Sequence, residues 1–213
     1  MAAYRADYEE QAERESEAVE LFRQLDDRSG VVPALATLAL ATLTAGRVEV
    51  AIGLLDEALA IGQDVGNAFG LNFLLLYLAI AQGALGRDRG DDELVRQSRA
   101  SLRRSLDLSR RVGDRFHVAL GLDVLAEHTA ADGDPERAVR LLGAAHALRE
   151  AIGAPIQPSV RDYQRRVAER IRGSLPEAVF RQRWEEGLAI PMEEAIGYAG
   201  DEQPPAHSLP RAR

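Results

Sequence analysis

Two short markers recur along the middle of this chain at one spacing, so any fold it adopts must place equivalent structure at each recurrence. The first marker is Leu25-Asp26-Asp27-Arg28, then Val65-Gly66-Asn67-Ala68, then Val112-Gly113-Asp114-Arg115, with a looser copy at Ile152-Gly153-Ala154. The second is Ala45-Gly46-Arg47, Leu85-Gly86-Arg87 and Asp132-Gly133-Asp134. Both advance by 40 residues and then by 47, and each glycine stands 19 residues after the junction before it. A fixed period of this size marks a supersecondary unit stacked on copies of itself. The extra residues of the longer interval fall between Gly86 and Asp114, and the polar run from Arg87 to Glu93 places them in a loop insertion.

Each unit reads as two antiparallel helices. The first lies between junction and glycine (about 28–45, 68–85 and 115–132), and the second follows the glycine (about 48–64, 91–112 and 135–151). Gly46, Gly86 and Gly133 are suited to the left-handed conformation that ends a helix. Asp134-Pro135-Glu136 supplies an N-cap, a first-turn proline and a first-turn acid. Composition agrees: 46% of the 213 residues are apolar but only 5% are aromatic, so small and aliphatic side chains must build the core. Such a core suits packed helices better than a β-sandwich.

The ends depart from the period. A helix over about 4–25, with Ala18, Val19, Leu21 and Phe22 on its apolar side, falls where the second helix of a preceding unit would stand. Its acids make it a makeshift cap, and its missing first helix leads us to expect a longer protein beginning upstream of Met1. After Pro155 and Pro158 a helix over about 159–172 carries Val160, Tyr163, Val167 and Ile171 on one stripe. Ser174-Leu175-Pro176-Glu177 has capping-box spacing and opens a helix that puts Phe180 and Trp184 on one face and ends at Gly187. A short helix over 191–199 follows, and residues 200–213 read as a Pro-rich flexible tail. The expected organisation is an N-terminal helix (1–27), three helix pairs in 28–154 (about 28–66, 67–113 and 114–154), capping helices in 155–199, and the tail.

The pairs resemble the tetratricopeptide (TPR) repeat in its longer form. The first unit shows the family pattern as Leu38-Ala39, Gly46, Ala51 and Ala58, and the third as Leu125-Ala126, Gly133, Ala138 and Ala145. The middle unit keeps Leu78-Ala79 and Gly86 but carries Ser98 and Ser105 on its second helix. Small residues belong there because helices approach to about 8–10 Å only where nothing bulky stands at the crossing. Leu55, Leu102 and Leu142 then fill the space between units. The resemblance covers about residues 7–152 and implies an all-α fold, a right-handed TPR-like α-solenoid of antiparallel helix pairs closed by a C-terminal helical cap.

A second resemblance covers about residues 100–199. It runs through Glu136-Arg137-Ala138-Val139-Arg140-Leu141-Leu142-Gly143-Ala144-Ala145, Leu148-Arg149-Glu150-Ala151-Ile152-Gly153, Phe180, Trp184-Glu185-Glu186-Gly187 and Met192-Glu193-Glu194-Ala195-Ile196. These stretches are similar to the region that ends the repeats of bacterial LuxR-type and related signal-transduction ATPase transcriptional regulators. Pro191 stands where that family more often has a serine cap. The likeness implies a sensor or scaffold region, with an effector or nucleotide-binding domain before it and often a helix-turn-helix domain after it.

In TPR proteins the first helices line a concave groove that holds a protein or peptide. Carried over by position, that groove shows Ala36, Leu40 and Leu43, then Phe73, Leu76 and Ile80, then Leu120, Asp123 and Glu127. It is apolar at one end and acidic at the other, which suits an amphipathic helix or an apolar peptide with a basic end. The alternative occupant is a small molecule, with the groove serving as the pocket of a sensor domain.

Several chemistries are excluded. The chain has no cysteine, and its 26 basic residues are all arginine, so thiolate nucleophiles, cysteine-ligated metals, Schiff bases and the Walker A lysine are absent. No phosphate loop, His-Glu-x-x-His or Gly-x-Ser-x-Gly occurs. His117 and His128 are eleven apart on one helix, three turns from one another and too distant to share a metal, His146 holds a helix-packing position and His207 lies in the tail. No cofactor or metal is therefore expected. Asp123 and Glu127, four apart, have the spacing of an acid/base pair, but a solvated helix face is the reading we carry forward. Arg96, Arg99, Arg103 and Arg110 line one face of a locally basic helix that would take phosphate or an acidic partner, or simply pair with acids nearby.

The net charge of −8 disfavours direct nucleic-acid binding. Met1 to Glu10 is acidic and has no apolar run, so it is not read as a secretory leader, and the uncharged run Ala68–Leu85 is read as a buried helix, with Asn72 and Gln82 inside it, instead of a membrane span. A cytoplasmic, non-enzymatic interaction module is the expectation, with a homo-oligomer left open.

Overall fold

The computed structural model describes residues 2–66, 70–153 and 158–199. Its described residues form ten helices and no strand: α1 (Ala2–Gln24), α2 (Arg28–Thr44), α3 (Val48–Asp64), α4 (Leu71–Arg89), α5 (Asp92–Val112), α6 (Arg115–Ala131), α7 (Pro135–Ile152), α8 (Pro158–Arg172), α9 (Glu177–Leu188) and α10 (Met192–Gly197). Residues 67–69, 154–157 and 200–213, which include part of the second junction, His207 and the tail, lie outside the described residues. The chain divides into two compact units, residues 1–109 and 110–213.

In the first unit each helix packs on the next, α1 on α2, α2 on α3 and α3 on α4. Asp27 starts α2 by accepting a hydrogen bond from the Gly30 amide at 2.9 Å, which satisfies one of the donors a helix start leaves orphaned. Gly46, at φ 88°, turns the chain into α3. The small residues Ala39, Ala51, Ala58 and Ala79 are fully buried where helices cross, and Leu35, Leu55, Leu74 and Leu76 fill the space around them. Burying each such leucine stabilises the fold by about 1.5–3 kcal/mol.

From Leu71 the uncharged run falls on α4, which is enclosed along most of its length. Among the described residues no helix is long and apolar enough to cross a membrane. The polar residues of α4 are satisfied by a serine seam on α5. Ser98 Oγ donates to the Ala79 carbonyl at 2.6 Å, Ser101 Oγ to Gln82 Oε1 at 3.2 Å, and Ser105 Oγ to the Asn72 carbonyl at 2.7 Å. Asn72 Nδ2 in turn donates to Ser109 Oγ at 3.0 Å. Ser98 and Ser105 occupy the places that alanine holds in the other second helices, small enough for the crossing and able to bond across it.

Three local expectations are corrected. Gly86 does not end its helix: α4 continues to Arg89, and Gly90, at φ 65°, is the cap. The 87–93 insertion is therefore mostly an added helical turn. Gly86 is needed because a Cβ there would stand 2.9 Å from Val95 Cγ2 and 3.1 Å from the Asp91 carbonyl, where the start of α5 passes. Leu21, assigned to the apolar side of α1, is exposed, as is Leu25; Val19, assigned to the same side, is buried, and Ala12 joins it there.

In the second unit α6 packs on α7 and α9 crosses α7, while α8 touches both α6 and α7. Asp114 caps α6 through the His117 amide at 3.1 Å, and Asp134 caps α7 through the Arg137 amide at 3.0 Å. The α7–α9 crossing is backbone against backbone. A Cβ on Gly187 would lie 2.3 Å from the Arg140 carbonyl oxygen, and one on Gly143 2.6 Å from that of Trp184. Gly187 is thus inside α9 for contact and does not terminate it. Arg140 and Arg183 of the two helices tie the crossing to Glu186 and Glu136 at 3.0 and 2.8 Å. The capping box is also corrected. Pro176 stands at the start of α9 without a side-chain bond, Ser174 Oγ donates back to the Ile171 carbonyl at 2.7 Å, and Glu177 pairs with Arg172.

Candidate functional site

The expected groove residues divide between core and half-open surface. In the first unit Ala36 and Leu76 are buried, whereas Leu40, Leu43, Phe73 and Ile80 are half-buried. Leu76, at 0% exposure, is core and cannot meet a partner directly. It is enclosed because α4 meets α2 and α3 and is bonded along α5, leaving no open side at that position. Phe73 packs against Tyr77 of the next turn, ring centroids 4.5 Å apart and the rings tilted by 45°.

The acidic positions of the second unit are corrected more sharply. Asp123 and Glu127 lie on the same face of α6, one turn apart, but that face is covered and not solvated: they are 0% and 8% exposed. The cover comes from two other helices. Arg149, near the end of α7, donates to Asp123 Oδ2 at 2.7 Å. From α8, Arg170 Nη1 donates to Glu127 Oε1 at 2.5 Å and the Tyr163 hydroxyl to Glu127 Oε2 at 3.1 Å. Leu120, one turn before Asp123, is buried as well.

Asp123 is the electrostatically exceptional group. Burial pushes its carboxyl up to about 6, against the attraction of Arg149 and the interactions of Gln164 and Arg149 that favour the charged form. Its Oδ1 is buried with no hydrogen bond of normal geometry, while Oδ2 is held by Arg149. An acid/base pair for catalysis needs access to substrate, and Asp123 and Glu127 are both covered by side chains of α7 and α8.

α8 is an amphipathic helix of the kind the sequence suggested for a groove. Val160, Val167 and Ile171 are buried on one stripe, Tyr163 and Arg170 reach Glu127, and Arg165, Arg166, Glu169 and Arg170 are exposed. On its other side, between α8 and α9, an open apolar cleft of about 370 Å³ has Phe180, Trp184 and Ala168 on its walls and arginines at its rim. Phe180 and Trp184 stack at 6.0 Å with an interplanar angle of 19°. Arg172 lies over the Phe180 ring at 5.2 Å while pairing with Glu177. The four-residue spacing of the aromatics signalled this wall, but nothing local in the sequence signalled the opposite one.

On α5, Arg96, Arg103 and Arg110 are exposed and Arg99 is half-buried. Arg96 pairs with Glu93 on its own helix, and Arg110 meets Glu193 at 3.4 Å. His117 Nδ1 sits 2.5 Å from Asp114 Oδ2, at the start of α6, His128 is buried, and the His146 ring lies 5.3 Å from that of Trp184. Among the described residues no group of three or more His, Asp and Glu side chains could hold a metal ion.

No protein-family model, curated protein or solved structure matches the chain.

Proposed function

We propose that this chain is a non-enzymatic helical-repeat interaction module: a right-handed TPR-like solenoid that serves as the sensor or scaffold region of a bacterial transcriptional regulator. The observation that carries the interaction reading is the seat of α8. The face of α6 assigned to a partner groove holds an amphipathic, arginine-bearing helix through Glu127, and that is the kind of occupant its charge suits. The repeat reading is supported by the fully buried Ala51, Ala58, Ala138, Ala145 and Ser98 at equivalent crossings and by the aspartate caps at equivalent junctions. The regulator reading rests on the likeness of residues 100–199 alone.

In the first unit the half-buried Leu40, Leu43, Phe73 and Ile80 offer an apolar surface for a second segment. Panning the full chain against a library of amphipathic helical peptides tests this. Selected peptides should lose about tenfold or more in affinity on Phe73→Ala, with helical content unchanged. A chain that selects nothing, or whose binders ignore Phe73, would remove the peptide-groove reading of this unit. For the regulator reading, the DNA on both sides should encode, in frame, a nucleotide-binding domain upstream or a helix-turn-helix downstream. Stops on both sides would leave a free-standing adaptor.

A further inference from the structure

We propose that the α6–α7 face bearing Asp123, Glu127 and Arg149 is a docking site for a partner's amphipathic, arginine-bearing helix, and that α8 occupies it in cis as the competitor such a partner displaces. The inference rests on the interaction-module reading and names the partner chemistry for one site of it.

Three features of α8 converge. Its hold on the face is compact and pattern-specific: an apolar stripe of Val160, Val167 and Ile171, with Tyr163 and Arg170 each taking one oxygen of the Glu127 carboxylate. It is packed from one side, since the cleft of about 370 Å³ opens between it and α9. The helix that follows does not depend on it for its own seat, because α9 is locked to α7 by the Gly143–Gly187 crossing and by Arg140 and Arg183. A helix held this way opens at lower free energy than its neighbours, as elements with few buried contacts do.

The face also states what a better occupant would carry. α8 leaves Asp123 Oδ1 without a hydrogen bond of normal geometry. A partner helix with the same apolar stripe, an arginine in the place of Arg170 and a longer donor in the place of Gln164 would satisfy both carboxylates at once. While α8 is seated it lowers the apparent affinity of any such helix by the fraction of time the face is open. The partner therefore binds by exchange, and the covered acids keep the site closed to basic segments that lack the apolar stripe.

The test uses the full chain and a labelled synthetic peptide with the sequence of residues 158–172, read by fluorescence anisotropy. In a chain carrying Val167→Asp and Arg170→Ala, which loosens α8 at both its apolar and its ionic hold, the peptide should bind about tenfold or more tighter than to the unaltered chain. Adding Glu127→Arg should abolish that binding, and a peptide with its own Arg170→Glu change should restore it. Equal binding to loosened and unaltered chains, or no effect of Glu127→Arg, would overturn the proposal.

Hydrogen exchange on the unaltered chain gives a reading independent of any variant. α8 amides should exchange about a hundredfold faster than those of α7 and α9, and equal protection of α8 and α9 would also overturn it. Failure here, with library peptides still lost on Phe73→Ala, would leave the interaction module intact and confine it to the first unit.

Discussion

Asp123 should make the second unit less stable as pH rises, the opposite of the usual buried ion pair. Its carboxyl is raised from 3.8 to about 6 because burial disfavours the charge more than Arg149 and Gln164 favour it. Between those values the folded chain keeps a proton that the unfolded chain has released. The unfolded state then binds fewer protons, so stability falls as pH increases. The contribution is whole below about pH 4 and gone once pH has passed through 6. At about 1.4 kcal/mol per unit, two units amount to about 3 kcal/mol.

Asp123→Asn keeps the shape and the neutral hydrogen bonding but cannot ionise. Urea unfolding of both chains from about pH 4 to pH 7 isolates the effect, since other titrating groups cancel in the difference. The two should be equally stable near pH 4, and the variant ahead by about 3 kcal/mol at pH 7. A difference that does not change with pH, or an unaltered chain that gains on the variant as pH rises, would refute the reasoning. The Arg149 pair would then outweigh the cost of burying Asp123.

Two glycines should respond to alanine with opposite sign in thermal or urea unfolding. Gly187→Ala forces a Cβ to within 2.3 Å of the Arg140 carbonyl oxygen and must push α9 off α7, costing about 1–3 kcal/mol after its helix-propensity gain, whereas Gly53→Ala meets nothing within 4 Å and should stabilise by about 0.5–1 kcal/mol. Asp134→Ala removes the acceptor for the Arg137 amide and should cost about 1 kcal/mol in the same assay.

The helix hairpins were legible because their signals are local. An aspartate accepting from the amide three residues on, or a left-handed glycine one or two residues past a helix end, fixes a boundary within one turn, and the period repeats it. Gly86 and Gly187 misled for a related reason. Glycine at a helix end and glycine at a close crossing are the same letter, and only the position of the other helix tells them apart. The state of Asp123 and Glu127 was illegible from α6 alone, since their cover arrives from Arg149, Tyr163 and Arg170, on helices further along the chain. The stripe of α8 was readable, but where it would be laid down was not.

The serine seam between α4 and α5 has a mechanical consequence. Where alanines meet at a crossing, the surfaces are smooth, and neighbouring registers differ by modest packing terms. Ser98, Ser101, Ser105 and Ser109 instead form four directional bonds along a single edge, to the Ala79 carbonyl, the Gln82 side chain, the Asn72 carbonyl and the Asn72 amide. Sliding α5 along α4 by one turn would break all four together inside a dry interface, where each stranded group is penalised. That joint is keyed. Register slip between α4 and α5 therefore costs more than slip at the alanine-lined joints on the other side of α4.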